Sequence, residues 1–543
     1  MMIEQDTQDN LIEEAKPIIN ESDDDRYDFY QCIKVYAYSL CCFVGSSIGA
    51  LPTLLSRSGP FPLMVNIIIA TIMQYTFKFI LRTSQGTLVF IFTTILQQAR
   101  ILLLVRGIKK LPSKVETGKM ELDELDSLSP KEAQVQDEMQ DEIQIADDKI
   151  AADSFAVNIN SIVHLFLPMI GEIIYIFSFY FHFFVVLIGL GLASSEAIAQ
   201  VIGVNYINVI PFNFWILSFI LMLAHDMFEK SLPVLAFIKY VLIIIMIIAT
   251  ACLSVTTPTV PNNNFQYITS SYLYLTFTLG GWPNYMVEPF TMIRMKKKKE
   301  ITGFYWSIFA AIITICIIQL SWAFSVLYIV PQQCQDISPV MAYHLGYEPN
   351  NTANCNVSLS WAHKNGIIST IPLAEIIQTN YPHFDWLSVF SGVTMAYALC
   401  VIFMGDALPL LHSFGGLARR LCGVWQDETS CDFTKLDKKT RMKITLTNWA
   451  IDLAAFILIF LIALFNPKSF IAVISYGAAF ADNIMALLVS LMVYRAGVNP
   501  AMNFKIPIPM NKPAKIMTVL MIIYFISAVV LDIVNVAIYL SKK

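Results

Sequence analysis

Charge is scarce in this sequence: Asp, Glu, Lys and Arg make up 14% of its 543 residues, against about 25% in soluble domains. With 56% hydrophobic residues and a mean hydropathy of +0.60, the composition excludes an ordinary soluble globular protein. Enzyme signatures are scarce too. There is neither a His-Glu-x-x-His pattern for zinc hydrolysis nor a glycine-rich phosphate loop, so the reading is of a non-enzyme that needs no organic cofactor. None of the ten cysteines pairs at metal-site spacing, which argues against a bound metal. Met1 to Arg26 is polar and acidic and lacks the apolar core of a cleavable leader, so the first membrane helix is expected to direct insertion. Nothing points to nucleic acid as a partner.

Long apolar runs are what the chain has instead. Stretches of about 20 residues or more, enough to cross a bilayer, fall at 33–55, 61–82, 168–194, 211–227, 232–254, 268–292, 302–330, 385–412, 447–465, 469–494 and 515–540. A further run, Leu88–Val105, contains Gln97, Gln98 and Arg100 and reads as a cytosolic or interfacial extension. Eleven spans are therefore expected in an all-α polytopic membrane protein.

Basic residues orient the spans. They crowd three connections: Arg294 with Lys296–Lys299, Arg419 through Lys443, and Arg495 through Lys515. The alternate connections are nearly bare, since 195–211 and 253–293 contain no Lys or Arg and 331–384 contains only Lys364. Basic loops face the cytosol, so the N-terminus should lie inside and the C-terminus outside. Loop 331–384, assigned outside, carries the glycosylation sequons at Asn350 and Asn356 and the cysteines Cys334 and Cys355, whose pairing the outside compartment permits.

The chain divides accordingly. An acidic tail at 1–31 precedes the first two spans at 32–106. A cytosolic acidic linker follows at 107–160, then spans at 161–330, the outer loop at 331–384 and the last spans at 385–543. The acidic tail and the acidic 107–155 stretch are either solvated linkers or docking sites for cytosolic partners. Glu14-Ala15-Lys16-Pro17-Ile18-Ile19 has the spelling of an acidic dileucine sorting signal, which sets an endosomal or lysosomal membrane beside the plasma membrane as the destination.

Two interruptions carry the functional reading. Gly45-Ser46-Ser47-Ile48-Gly49-Ala50-Leu51-Pro52 lies inside the first apolar run, and Thr278-Leu279-Gly280-Gly281-Trp282-Pro283 inside the sixth. Glycine and proline disfavour a regular helix, and irregular backbone survives in lipid only where protein buries it or a cavity hydrates it. Paired interruptions of this kind point to a substrate site near mid-membrane. The freed N–H groups suit a carboxylate and the freed carbonyls an ammonium, so the pocket would hold a zwitterion. Glycine packing between helices is the competing reading of the first run, and simple packing or interface anchoring that of Trp282.

The first run, with Ser56-Arg57-Ser58-Gly59 after it, resembles the first-helix signature of the amino acid/auxin permease family. Later segments follow in similar order: 171–203 resembles the family's third helix, 214–254 its fourth and fifth joined by a short turn, 271–330 its broken sixth and its seventh, and Phe465-Asn466-Pro467 with 469–495 its ninth-to-tenth turn. The acidic loop and Phe228-Glu229-Lys230 resemble a transmembrane-protein-104-like branch. Two departures stand out: Gly280-Gly281-Trp282-Pro283-Asn284 replaces the family's usual sixth-helix pattern, and Thr53-Leu54 its usual residues after Leu-Pro.

The resemblance implies two inverted five-helix repeats plus one extra helix, with helices 1 and 6 discontinuous, moving amino acids by alternating access with sodium or protons. Carried over by residue, the carboxylate site would involve Ser46, Ser47, Ile48 and Gly49. The amine would meet Thr276, Phe277 and Thr278 beside Gly280 and Gly281, with Trp282 or Phe277 as a gate. A sodium site would join the carbonyls of Gly45 and Ile48 to the hydroxyls of Ser391 and Thr394, unless those hydroxyls bond their own helix. For protons, Asp482 is the favoured carrier, with His182 and Glu172 behind it; Asp406 and Asp452 are expected at solvated membrane faces, and Glu196 and Asp532 complete the ionisable residues in or at the ends of spans. The alternative function is an amino acid sensor or scaffold that keeps the fold without transporting.

Overall fold

The computed structural model describes residues 47–75, 163–256 except 165, 261–273 except 270, 298–333, 357–423, 437–465, 477–498 and 512–541, with scattered positions between 32 and 40. Every regular element among them is a helix. In chain order these are α1 (Ser47–Leu54), α2 (Pro60–Tyr75), α3 (Met169–Ile202), α4 (Tyr206–Ser254), α5 (Lys298–Ile329), α6 (Leu359–Asn365), α7 (Thr370–Asn380), α8 (Asp385–Leu421), α9 (Lys438–Phe465), α10 (Ala479–Val498) and α11 (Lys512–Ser541). Short 3-10 turns lie at Phe265–Tyr267 and Pro382–Phe384.

Seven segments among the described residues are long and apolar enough to cross a membrane: Met169–Ile202, Tyr206–Ala224, Ser231–Ser254, Trp306–Ile329, Pro382–Arg419, Lys438–Phe465 and Thr518–Ile538. Their outward faces are apolar, as a lipid solvent requires. Phe177, Phe212, Leu223 and Phe237 are each at least 69% exposed, which water would penalise and lipid tails accept. Polar residues lie inward: Ser194, Ser195, Asn213, Asp406 and Asp482 are all buried. The protein is thus a multi-pass helical membrane protein. Of the other expected spans, 61–82 and 469–494 are represented by α2 and α10 and 33–55 in part by α1, none of which is among the seven, while 268–292 falls largely and 88–105 wholly outside the described residues.

Residues 206–254 carry two of these spans. α4 kinks at Ala224, whose backbone is non-helical (φ −123°, ψ 28°), and Tyr206–Ala224 and Ser231–Ser254 lie on either side of the connection expected at Phe228-Glu229-Lys230. Ser231 Oγ bonds the Phe228 carbonyl, and Pro233 falls in the first turn of the second span, where its missing N–H is cheapest. One expectation needs correction: loop 331–384 is not simply a polar excursion. Its described part, α6 and α7, buries Leu359, Ala362, Leu373, Ile376 and Ile377 against the bundle, an apolar period that the loop's sequons and scarcity of basic residues masked.

Close packing is set by small residues on α3. A Cβ on Gly191 would lie 2.0 Å from Phe214 Cζ on α4, so the ring occupies the space a side chain would take. Phe214 is 1% exposed and also meets Phe403 of α8 and Phe460 of α9 at ring-centroid distances of 5.8 and 6.2 Å. One aromatic ring seated on one glycine therefore joins four helices. Gly203, in the left-handed region at φ 76°, ends α3 with its N–H on the Ala199 carbonyl, and Asn205 then caps α4 by accepting from Ile207 N–H. Gly191→Ala should cost about 1–3 kcal/mol by overpacking and lower the melting temperature in detergent; adding Phe214→Leu, which vacates the ring's space, should restore part of the loss.

Candidate functional site

The permease-like substrate residues can be placed only in part. Gly45, Ser46, Thr276, Phe277, Thr278, Gly280, Gly281 and Trp282 lie outside the described residues, as do Asn350, Asn356, Cys334 and Cys355. Ser47 and Ile48 open α1, and Gly49 is buried within it. Pro52 lies inside this helix and has no N–H to give the Ile48 carbonyl, so one carbonyl of the suspected binding segment lacks its intrahelical partner.

What surrounds Gly49 is a clamp. Its carbonyl accepts from both the N–H and the Oγ of Ser369, each at 3.1 Å. Ser369 belongs to the tight connection between α6 and α7, where Gly366 takes a left-handed φ of 70°. One residue earlier, the Ile368 N–H donates to Glu196 Oε2 at 3.1 Å, and Ile368 Cγ2 lies 3.5 Å from where a Gly49 Cβ would stand. Gln200 Nε2 donates to the Thr370 carbonyl at 3.4 Å. The connection is thus pinned to α1 on one side and to the end of α3 on the other, with Glu196 only 7% exposed. Nearby, burial and then the Arg57 guanidinium hold the His363 ring below the usual imidazole range, so that ring stays neutral.

The sodium candidates show mixed behaviour. Ser391 and Thr394 are both buried on α8. Ser391 Oγ spends its proton on the Ser388 carbonyl of its own helix at 2.9 Å. Thr394 Oγ1 has no hydrogen-bond partner among the described residues. The proposed carbonyl ligand Gly45 lies outside them.

Ionisable groups form a second centre, deeper along α3. His182 Nδ1 lies 2.9 Å from Asp482 Oδ1, with the side chains 3% and 1% exposed. Asp482 stands near the beginning of α10. A wider π-type turn at Gly477 and Ala478 precedes that helix. A Cβ on Gly477 would come within 3.0 Å of Val185 Cγ1, one turn from His182 on α3, so the close approach of the two chains brings ring and carboxylate together.

Asp406 of α8 and Tyr175 of α3 also act electrostatically on the pair. Pro409, inside α8, cannot donate to the Gly405 carbonyl, which loosens the backbone beside Asp406. Behind Asp482, Asn483 Nδ2 donates to Asp532 Oδ2 of α11 at 2.7 Å. Asp406 and Asp452 are 3% and 5% exposed; neither sits at a solvated face as expected, because neighbouring helices enclose both, with Asn448 donating to Asp452 at 3.1 Å. Glu172 instead faces His164 at 3.0 Å, where the histidine is 57% exposed.

Sequence reasoning missed Lys239, a fully buried lysine on α4 whose ammonium lies 4.9 Å from the Tyr240 ring centroid. Its signal was available, since a lone lysine inside a run as apolar as 232–254 is costly unless enclosed. The hydroxyl of Tyr240 donates to the Leu40 carbonyl, tying α4 to the stretch before α1. No family model and no curated protein matches the chain.

The clamp yields a stability test. Glu196→Leu leaves the buried Ile368 N–H without an acceptor and should cost about 1–3 kcal/mol, whereas Glu196→Gln keeps an acceptor and should cost less. Detergent melting temperatures of the two variants would separate a hydrogen-bonding role from mere space filling.

Proposed function

We propose that the protein is a secondary active transporter of amino acids or related small zwitterions, coupled to sodium or protons and working by alternating access. The observation that carries the reading is the set of ionisable side chains enclosed within an apolar spanning bundle. A bundle that only anchors or spaces gains nothing from burying His182, Glu196, Lys239, Asp406 and Asp482, since such groups are expensive in a membrane and mark ion and substrate paths. The glycine and proline interruptions in the first and sixth apolar runs supply backbone groups for a zwitterion. Gly49 lies at the meeting point of α1 and the α6–α7 connection, where a moving outer segment could open or close over a ligand.

On this reading the fold is that of the amino acid/auxin permeases: eleven spans, two inverted five-helix repeats and one extra helix, with helices 1 and 6 broken. The N-terminus is cytosolic, the connection 331–384 is external and glycosylated at Asn350 and Asn356, and Cys334 pairs with Cys355. The protein resides in the plasma membrane or in an endosomal or lysosomal membrane.

A flux screen tests the reading. Purified protein in liposomes, offered each labelled common amino acid at two pH values with and without sodium, should accumulate at least one of them. Binding of an amino acid without flux would instead favour a sensor. Gly49→Ala should retain transport, because a single Cβ would meet Ile368 at an ordinary 3.5 Å. Gly49→Val should abolish uptake while surface labelling shows that the protein still reaches the membrane.

A further inference from the structure

His182 and Asp482 differ from the other buried polar groups of this bundle. Most of those are satisfied by neutral partners: Asn213 Nδ2 bonds the hydroxyls of Ser194 and Ser195 at 2.6 and 3.0 Å, and Tyr180 OH meets Ser413 Oγ at 2.8 Å. Here an imidazole and a carboxylate face each other at 2.9 Å with water excluded. The surroundings are acidic. Asp406 of α8 acts on the ring, Asp532 of α11 lies within the field of Asp482, and Tyr175 of α3 is a further titratable neighbour among the described residues. An ionised Asp482 facing a neutral imidazole leaves the pair with net negative charge, and a low-dielectric interior makes that expensive.

We propose that His182 and Asp482 together form the proton-binding site that couples transport, holding one exchangeable proton between α3 and α10 with Asp406 of α8 as the group that stabilises the loaded state. This rests on the transporter reading and names its coupling ion. In the empty state the pair is imidazole and carboxylate, with net charge −1. Uptake of one proton from the aqueous phase gives imidazolium and carboxylate, net charge zero, and release to the opposite phase restores the first state. No other bond forms or breaks. A hard cation fits less well, because such ions take oxygen ligands and an imidazole nitrogen stands 2.9 Å from the Asp482 carboxylate.

Geometry also says why the proton would couple to movement. The pair spans α3 and α10, and Asp482 stands shortly after a π-type turn at Gly477 and Ala478, a local widening that frequently marks functional sites. Loading removes the charge that otherwise drives the two helices to seek outside compensation, so docked and separated arrangements would differ in proton affinity.

Two measurements on the full-length protein decide the matter. In liposomes loaded with a pH-sensitive dye, the labelled amino acid that the wild type transports should acidify the lumen as it enters. Asp482→Asn and His182→Gln should abolish acidification and accumulation against a gradient, while Asp482→Glu, which keeps a carboxylate, should retain both in part. Wild-type flux without acidification, or undiminished acidification in Asp482→Asn, overturns the inference and leaves the transporter reading intact. Absence of any flux overturns that reading instead. Infrared difference spectra of protein in lipid nanodiscs need no substrate. Between about pH 5 and pH 8, where imidazole changes charge, the wild type should show the ring bands titrating and the band of the still-ionised carboxylate shifting with them, and Asp482→Asn should lose that shift. Identical spectra from the two proteins overturn the proposal whatever the flux result, as they would if Asp482→Asn proved misfolded and His182→Gln titrated like the wild type.

Discussion

A polar group inside an apolar bundle must be answered by protein, since lipid offers no hydrogen bonds, and in this molecule α3 is where that demand is concentrated. Its side chains reach a different element at almost every turn. Tyr180 meets Ser413 of α8, His182 meets Asp482 of α10, Ser194 and Ser195 meet Asn213 of α4, Glu196 holds the Ile368 N–H, and Gln200 binds Thr370 at the start of α7. Van der Waals packing between helices in lipid is only weakly selective. These directed contacts, each costly to leave unmade, fix which helix neighbours α3 and at what height.

The same helix divides the labour along its length. Toward its C-terminal end, Glu196 and Gln200 grip the α6–α7 connection, which in turn seizes the Gly49 carbonyl through Ser369. Nearer its middle, His182 faces the ionisable centre. On the proposed transport reading, a clamp on the Gly49 segment and a titratable pair on one continuous rod would link ligand closure mechanically to ion binding. Between them, Gly191 seats Phe214, so the rod is gripped tightly by α4, α8 and α9 where the two functions would have to communicate.

Much of the architecture was legible in the sequence because lipid makes the rule simple: long apolar runs are helices that cross. The runs at 168–194, 302–330 and 385–412 reappear as α3, α5 and α8. Asp482 stood out for a physical reason, being a lone carboxylate within an apolar stretch. Less could be read where tertiary partners decide. Nothing in the sequence places the kink of α4 at Ala224, a few residues before the polar step at 228–230, because no glycine or proline stands there. The enclosure of Asp406 and Asp452 depends on neighbours distant in sequence, as does the buried seat of Lys239. The inward packing of α6 and α7 was hidden by a polar, sequon-bearing context. Pairing is also invisible to a linear pattern: His182 and Asp482 are three hundred positions apart.

Movement of a zwitterion together with a cation is the central claim, and charge displacement reports it directly. A zwitterion carries no net charge, so only the coupled ion can produce current. Protein-bearing liposomes adsorbed on a solid-supported electrode and switched to an amino acid mixture should give a transient current that persists across repeated additions and scales with protein density. Calorimetric binding of the same amino acids with no current from the same vesicles would contradict the account.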